Sequence, residues 1–238
     1  MNLLLFTHAD RIAPDVLAFN DRRSEHLRSV HRAQPGDTLR VGEVDGLMGS
    51  AEIISLDQHG ARVRFVLDTS PPAKLPVTLI VALPRPKMLR RILRNAAEFG
   101  VQALHLIHSY RVEKSYWQSP VLNETSLRDY LLQGLEQACD TQLPPLQLHR
   151  RFKPWVEDVL PALCADRQAW LAHPGAGPHC PPEISGETLL VVGPEGGFIP
   201  YEVAKLEGAG CTPVSLGPRI LRVENAVVSL LTRVRTPT

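Results

Sequence analysis

The sequence predicts an α/β protein of two domains: a small, mostly β domain over residues 1–70 and an α/β domain with a mostly parallel sheet over residues 77–238. Three observations predict it. Short alternating runs broken by glycines fill the first part, a Pro-rich connector at 71–76 interrupts the chain, and continuous apolar runs then alternate with helical patterns. With 238 residues, 44% apolar and 21% charged, the chain can bury a core without disulfide or metal staples.

In the first domain, residues 37–44, 50–56 and 61–67 alternate apolar with polar side chains. Gly36, Gly42, Gly46, Gly49 and Gly60 stand between or within them, as hairpins require. One helix is expected before them, over residues 24–32, with Leu27, Val30 and His31 on one face. After the connector, residues 77–83 (VTLIVAL) form a continuous apolar run, the mark of a strand covered on both faces. Residues 87–99 then place Leu89, Ile92, Leu93, Ala96 and Ala97 at helical spacing, with Arg90, Arg91 and Arg94 off that stripe. Further strands are expected at 103–107, 168–172, 188–192 and 213–216, and helices at 124–138, 201–207 and 223–234. This alternation is what predicts the parallel sheet.

Composition excludes several classes. No stretch approaches the ~18 apolar residues of a membrane span, and the run Leu3-Leu4-Leu5-Phe6 is too short for a signal-peptide core, so a cytoplasmic protein is expected. Cys139, Cys164, Cys180 and Cys211 form no C-x-x-C pair, and no fourth ligand joins His173, His179 and Cys180, so no metal is expected. The net charge of +1 hides an uneven distribution: residues 71–118 carry 8 basic and 2 acidic side chains. Arg85, Lys87, Arg90, Arg91 and Arg94 fall within ten residues without an acid, and Arg22, Arg23, His26, Arg28, His31 and Arg32 form a second cluster. Either alone reads as a solvated helix face; together they point toward a polyanion such as nucleic acid.

Two loops at strand ends are chemically loaded: Gly193-Pro194-Glu195-Gly196-Gly197-Phe198 and Gly217-Pro218-Arg219-Ile220-Leu221-Arg222. A third, beginning Ala172-His173-Pro174-Gly175, follows Trp170. In open α/β sheets ligands bind at such ends. A phosphate cradle wants bare N–H groups and a lysine, whereas Glu195 repels phosphate, and neither a P-loop nor a usable G-x-G-x-x-G is present. Glu195 suits a positively charged ligand such as a sulfonium or ammonium better. The absence of G-x-S-x-G removes the nucleophile elbow.

Together, Gly193-Pro194-Glu195-Gly196-Gly197-Phe198 followed by Glu202, and Leu216-Gly217-Pro218-Arg219-Ile220-Leu221-Arg222-Val223-Glu224-Asn225-Ala226, resemble the GPEGG and LGxRILRxETA motifs of the RsmE-type 16S rRNA uridine N3-methyltransferases of the SPOUT superfamily. The likeness runs over nearly the whole chain and fades in the middle. It implies a PUA-like β-barrel that grips RNA, a C-terminal S-adenosylmethionine domain with a trefoil knot, and a homodimer acting on 16S rRNA of the small ribosomal subunit. Departures stand at Asn225, Ile199 and Asn95, in residues 136–141, and in residues 109–118 (SYRVEKSYWQ), which look particular to a subgroup; they leave open a paralogue acting on another uridine.

The resemblance further implies that S-adenosylmethionine lies against Gly193, Pro194, Glu195, Gly196, Gly197, Leu216, Gly217, Ile220, Leu221 and Arg222, bordered by His173 and Pro174. Adenine edges can be met by main-chain groups, which accounts for a glycine-rich pocket. Arg222 or Arg219 would stabilise the charge developing on uracil, and the N3 proton would go to Glu224, Glu195 or water. N3 lies on the pairing edge, so the base must be single-stranded or flipped. Arg22, Arg23, Arg28 and Arg32 in the first domain, and Arg90, Arg91 and Arg94 in the second, are the expected RNA contacts. The competing expectations are a methyltransferase acting on another rRNA or tRNA base or a ribose 2′-hydroxyl, and a non-catalytic RNA-binding assembly factor; a kinase or nucleotide-dependent oxidoreductase lacks its phosphate loop.

Overall fold

The computed structural model describes residues 2–175 and 177–235. Ala176 of the third loop, and residues 236–238 of the expected second domain, lie outside the described residues. The chain forms two compact units, residues 1–72 with 132–143, and residues 73–131 with 144–238.

The first unit is built on a mixed, curled sheet. Its strands are β1 (Leu4–Phe6), β2 (Arg11–Ala13), β3 (Val16–Phe19), β4 (Thr38–Glu43), β5 (Met48–Asp57) and β6 (Gly60–Thr69), in the order β1-β4-β5-β6-β3-β2. β1 runs parallel to β4 and the remaining pairs are antiparallel. Alternation works as expected in β6, where Ala61, Val63 and Phe65 are buried and Arg62 and Arg64 exposed. These join Phe6, Leu17, Val41 and Ile53 in one core. The three N-terminal strands have only three or four residues each, too short to show a period.

The helix expected over 24–32 is α1 (Arg22–His26) followed by a π-helical turn, Leu27–His31. The wider turn breaks the predicted face. Leu27 is buried, Val30 is 64% exposed, and the turn closes at Arg32 in the left-handed region, φ 51°. Residues 132–143 belong to this unit through Glu136, whose main-chain oxygen accepts from Asn2 and Leu3, and Thr141, whose hydroxyl donates to the Gly46 carbonyl at 2.5 Å.

The second unit carries an all-parallel sheet of β7 (Leu75–Ala82), β8 (Val101–Ile107), β9 (Leu146–His149), β10 (Gln168–Ala172), β11 (Thr188–Val192) and β12 (Thr212–Val214), ordered β12-β10-β11-β7-β8-β9. All eight residues of β7 are buried, as its uninterrupted apolar run requires of a central strand. The helix α2 (Pro86–Glu98) starts with proline at its first position, where no amide partner is lost, and buries the predicted stripe from Leu89 to Ala97. The other helices are α3 (Glu124–Ala138), α4 (Phe152–Pro154), α5 (Leu160–Cys164), α6 (Pro200–Gly208) and α7 (Val223–Leu231). Strand β9 and the helical stretch from α4 to α5, joined by a π-helical turn, carried no clean period in the sequence.

Two features of this unit set up the site. The loop after β10 is bridged to both ends of the C-terminal segment, His179 to Ser215 and Ile184 to Val234. β12 stops at Val214 rather than Leu216, so Ser215 and Leu216 leave the sheet. On the opposite side, His105 of β8 is 3% exposed and lies 3.0 Å from His149 of β9, nitrogen to nitrogen. Burial, reinforced by His149 and Arg167, pushes its pKa down to about 4, so it is neutral at pH 7.

Candidate active site

Because the sheet is parallel, the loops after β10, β11 and β12 leave from one edge, and they enclose a cavity of about 700 Å³. The β10 loop contributes Ala172, His173, Pro174 and Gly175. The β11 loop contributes Gly193, Pro194, Glu195, Gly197 and Phe198. The β12 loop supplies the floor from Ser215 to Leu221, and α7 adds Val223 and Ala226. Of the residues expected to hold a cofactor, Gly196 and Arg222 lie outside this lining. Gly196 turns its carbonyl to the Arg111 guanidinium, and Arg222 caps α7.

Local chemistry explains the loop shapes. Gly193 packs under Phe198, and a Cβ there would sit 3.1 Å from the ring. Gly217 has φ +115°, a conformation side chains rarely adopt, and a Cβ on it would meet nothing within 4 Å. The Ser215 hydroxyl accepts from Gly217 N–H at 3.2 Å, fixing that bend. The β11 loop is strapped by Glu202 of α6, a carboxylate 2% exposed that accepts from the Ile199 amide at 3.1 Å and the Tyr110 amide at 2.7 Å. Glu202→Gln should therefore set an amide NH₂ against a main-chain N–H. The expected loss is roughly 1–3 kcal/mol in denaturant unfolding, with weaker ligand binding in calorimetry, and an unchanged midpoint would remove the strap.

Glu195 is less available than its sequence position implies. Its carboxylate accepts from the Arg85 amide at 3.1 Å and lies 3.9 Å from the solvent-exposed Arg85 guanidinium, so one of its oxygens is already engaged by the chain. Main-chain donors on the wall are open instead: among the described residues the amides of Leu216, Ile220 and Leu221 make no internal hydrogen bond. The Nδ1 of His173 also has no hydrogen-bond partner, but it is buried and does not face the cavity. Of the catalytic candidates, Arg219 lines the cavity and is exposed. Arg222 does not line it, and Glu224 is buried at 7% in the first turn of α7, also outside the lining. Among the described residues no group of three His, Cys, Asp or Glu side chains is placed to hold a metal ion.

The expected RNA contacts divide sharply. Arg23 is corrected to an internal role: its side chain is 11% exposed, pairs with Asp10 and Asp21, donates to the Leu5 carbonyl and lies over Phe19. Burial alone would push the Asp10 carboxyl up, but hydrogen bonds from Arg23 and Thr7 hold it below the usual range. Arg22 forks onto both Glu136 oxygens at 3.0 and 2.7 Å, and Arg28 pairs with Glu25. Arg32 is exposed. On α2, Arg90 and Arg91 are exposed, and Arg90 and Arg94 lean over the Tyr130 ring at 5.7 and 5.0 Å. Asp21 and Glu25 stand within three positions of their partners, but Asp10 and Glu136, 13 and 114 positions from theirs, gave no sign in the sequence.

Residues 71–235 match the family model described as RNA methyltransferase domain. The chain belongs to this RNA methyltransferase family. The ribosomal RNA small subunit methyltransferase E of Treponema pallidum (strain Nichols) is 28% identical over 95% of this chain and 87% of its own. Its Bacillus subtilis (strain 168) namesake is 25% identical over 88% and 85%. A crystal structure of ribosomal RNA small subunit methyltransferase E from Neisseria gonorrhoeae, bound to S-adenosyl methionine, superposes with a TM-score of 0.75 at 20% identity, covering 96% of this chain and 95% of that one. The curled mixed sheet followed by an all-parallel sheet is thus the fold that this chain shares with that structure. The matched region contains all three cavity loops. Among the described residues no helix is long and apolar enough to cross a membrane.

Proposed function

We propose that the protein transfers a methyl group from S-adenosylmethionine to N3 of a specific uridine in the 16S RNA of the small ribosomal subunit. The cavity between the two motif-bearing loops carries this reading. Its size lies within the ~300–1,000 Å³ of small-molecule sites. Its open amides at Leu216, Ile220 and Leu221 fit the polar edges of an adenosine, while Val192, Phe198 and Ile220 fit its apolar parts. The names of the relatives support small-subunit ribosomal RNA as the substrate, and the ligand of the Neisseria structure supports S-adenosylmethionine as the donor.

When bound, S-adenosylmethionine supplies an electrophilic methyl carbon on a positively charged sulfur. The protein's part is placement and charge. The three loops hold the donor at the edge of the sheet, a positioning effect worth several orders of magnitude in rate. Glu195, paired with Arg85, steadies the β11 loop and offers the residual charge of one carboxylate to the donor. Arg219, on the cavity wall, holds the negative charge that grows on the uracil carbonyl oxygens as the N3 proton leaves to water. Arginine stays protonated and cannot itself take that proton. Glu224 and Arg222 sit outside the wall, Glu224 as an acid in the first turn of α7 and Arg222 at its N-cap position.

The RNA surface in this reading is α2 with Tyr130, together with the first unit acting as the PUA-like RNA module. Arg90→Glu with Arg94→Glu should weaken RNA binding at least tenfold and lower the slope of log affinity against log salt by roughly 0.9 per lost phosphate contact in duplex regions. An unchanged slope would reassign that helix. The reading also keeps the homodimer: Ile220, 83% exposed, and Leu221, 38% exposed, line the cavity and leave apolar surface at its mouth for a second copy.

The deciding experiment is a mass-spectrometric map of ribosomal RNA from a strain lacking the gene, before and after incubation with purified protein and S-adenosylmethionine. One new methyl on a uracil N3 of the small-subunit RNA is expected. A methyl on another base, on a ribose 2′-hydroxyl, or none at all overturns the assignment.

A further inference from the structure

We infer that Tyr110 is a stacking platform for a base of the substrate RNA beside the cofactor loops. The inference rests on the RNA methyltransferase reading and adds a specificity-determining residue to it.

Tyr110 is 77% exposed, yet the main chain that carries it is tied on every side. Its amide donates to the buried Glu202 carboxylate at 2.7 Å, and the same carboxylate accepts from Ile199, next to Phe198 of the cavity wall. The neighbouring Arg111 guanidinium bonds the Gly196 carbonyl of the same loop. Ser109 is fully buried, and Val112 is 4% exposed and donates its amide to the Ser109 carbonyl at 3.0 Å. A large ring is therefore held out in water from a fixed turn, two hydrogen bonds from the cofactor cavity. Nothing in the second unit covers it, and it contributes nothing to the core.

The surroundings are those of a nucleic acid site. Ile107 of β8 and His149 of β9 are register partners in parallel strands, so the segments that follow them leave the sheet at one edge. That edge carries exposed Arg111, Lys114, Arg150, Arg151 and Lys153. Arg150 sits 5.1 Å over Trp117, itself anchored by its indole N–H to His108 at 2.9 Å. An exposed aromatic ring on a sheet edge that carries five exposed cations against one exposed acid, Glu113, matches single-stranded RNA, whose phosphates take the charge and whose bases take the ring face. A protein partner would want apolar neighbours around Tyr110 in place of this charge. Stacking asks little of the ring: tyrosine has two side-chain torsions to order, and its main chain is already fixed. Because the same Glu202 strap holds Tyr110 and the cofactor loop, a base stacked there is set at a fixed distance from the donor.

The test compares Tyr110→Ala and Tyr110→Phe with wild type, using unmethylated small-subunit RNA and S-adenosylmethionine. Tyr110→Ala should raise KM for RNA about tenfold, within the range of a lost base–aromatic stack. Tyr110→Phe should stay within about twofold, since the ring face and not the hydroxyl carries the contact. In both, calorimetric affinity for S-adenosylmethionine and sedimentation without RNA should match wild type. Exposure of the side chain makes misfolding an unsuitable explanation, and thermal melts check it. A normal KM in Tyr110→Ala overturns the inference, as do equal losses in both variants, weakened donor binding, or altered sedimentation, which would place the ring in the loop or between copies. A wild-type protein that methylates no ribosomal RNA overturns the underlying reading instead, and the inference falls with it.

Discussion

Gly217→Val should abolish donor binding, lowering calorimetric affinity for S-adenosylmethionine by about a hundredfold or more. Two independent costs act in the same direction. At φ +115° a β-branched residue is strained, by about 1–3 kcal/mol, and it can relax only by moving the bend that Ser215 fixes. In addition, the space a Cβ would enter is open and Gly217 lines the cavity, so the isopropyl group takes volume from the ligand. A hundredfold corresponds to about 2.7 kcal/mol, within what the two effects supply together. Gly217→Ala separates them. It keeps most of the backbone strain with little of the volume, and an intermediate loss of about tenfold is expected. A folded Gly217→Val protein with near-normal affinity would remove the β12 loop from the site.

The positions of the cavity loops were legible because local rules set them. Residues 188–192 read as a buried strand and the Gly-Pro turn after it could not continue, so the β11 loop had to leave the sheet at Gly193. The stripe from Leu89 to Ala97 read correctly for the same reason, since helical periodicity is a property of neighbours. What failed was non-local. Arg23 has one partner, Asp21, two positions away, but its burial against Asp10, thirteen positions away on another element, was not legible. Glu195 looked like a bare carboxylate because Arg85, its partner, precedes it by 110 residues. The strap from Glu202 to Tyr110 spans 92 residues, so the motif residue was visible and its role was not. Strands of three residues such as β1 and β12 are fixed by pairing more than by sequence, which is how Ser215 and Leu216 came to be assigned to a strand they leave. Bridges such as His179 to Ser215 and Ile184 to Val234 belong to the same class: they are tertiary, and no periodicity encodes them.

Arg219→Ala should leave donor affinity within about threefold of wild type while turnover falls by about 10²–10³, the usual cost of removing one preorganised donor from a developing oxyanion. The argument turns on place. Arg219 and Arg222 are both exposed cations in one loop, but Arg219 lies on the cavity wall, whereas Arg222 caps α7 outside it. Arg222→Ala is accordingly expected to cost less turnover, with little change in stability, since the Arg222 side chain makes no cap hydrogen bond to α7. The pH profile tells charge stabilisation from mere bracing of the loop. If Arg219 eases loss of the N3 proton, the variant's deficit shrinks as pH rises, because hydroxide increasingly supplies the deprotonated base; a bracing role predicts a deficit independent of pH. Arg219→Lys adds a second discrimination, since it retains the charge and loses the planar fork, so partial recovery is expected if charge is what uracil requires. Wild-type rates in Arg219→Ala at neutral pH would exclude the residue from the reaction and return attention to Arg222.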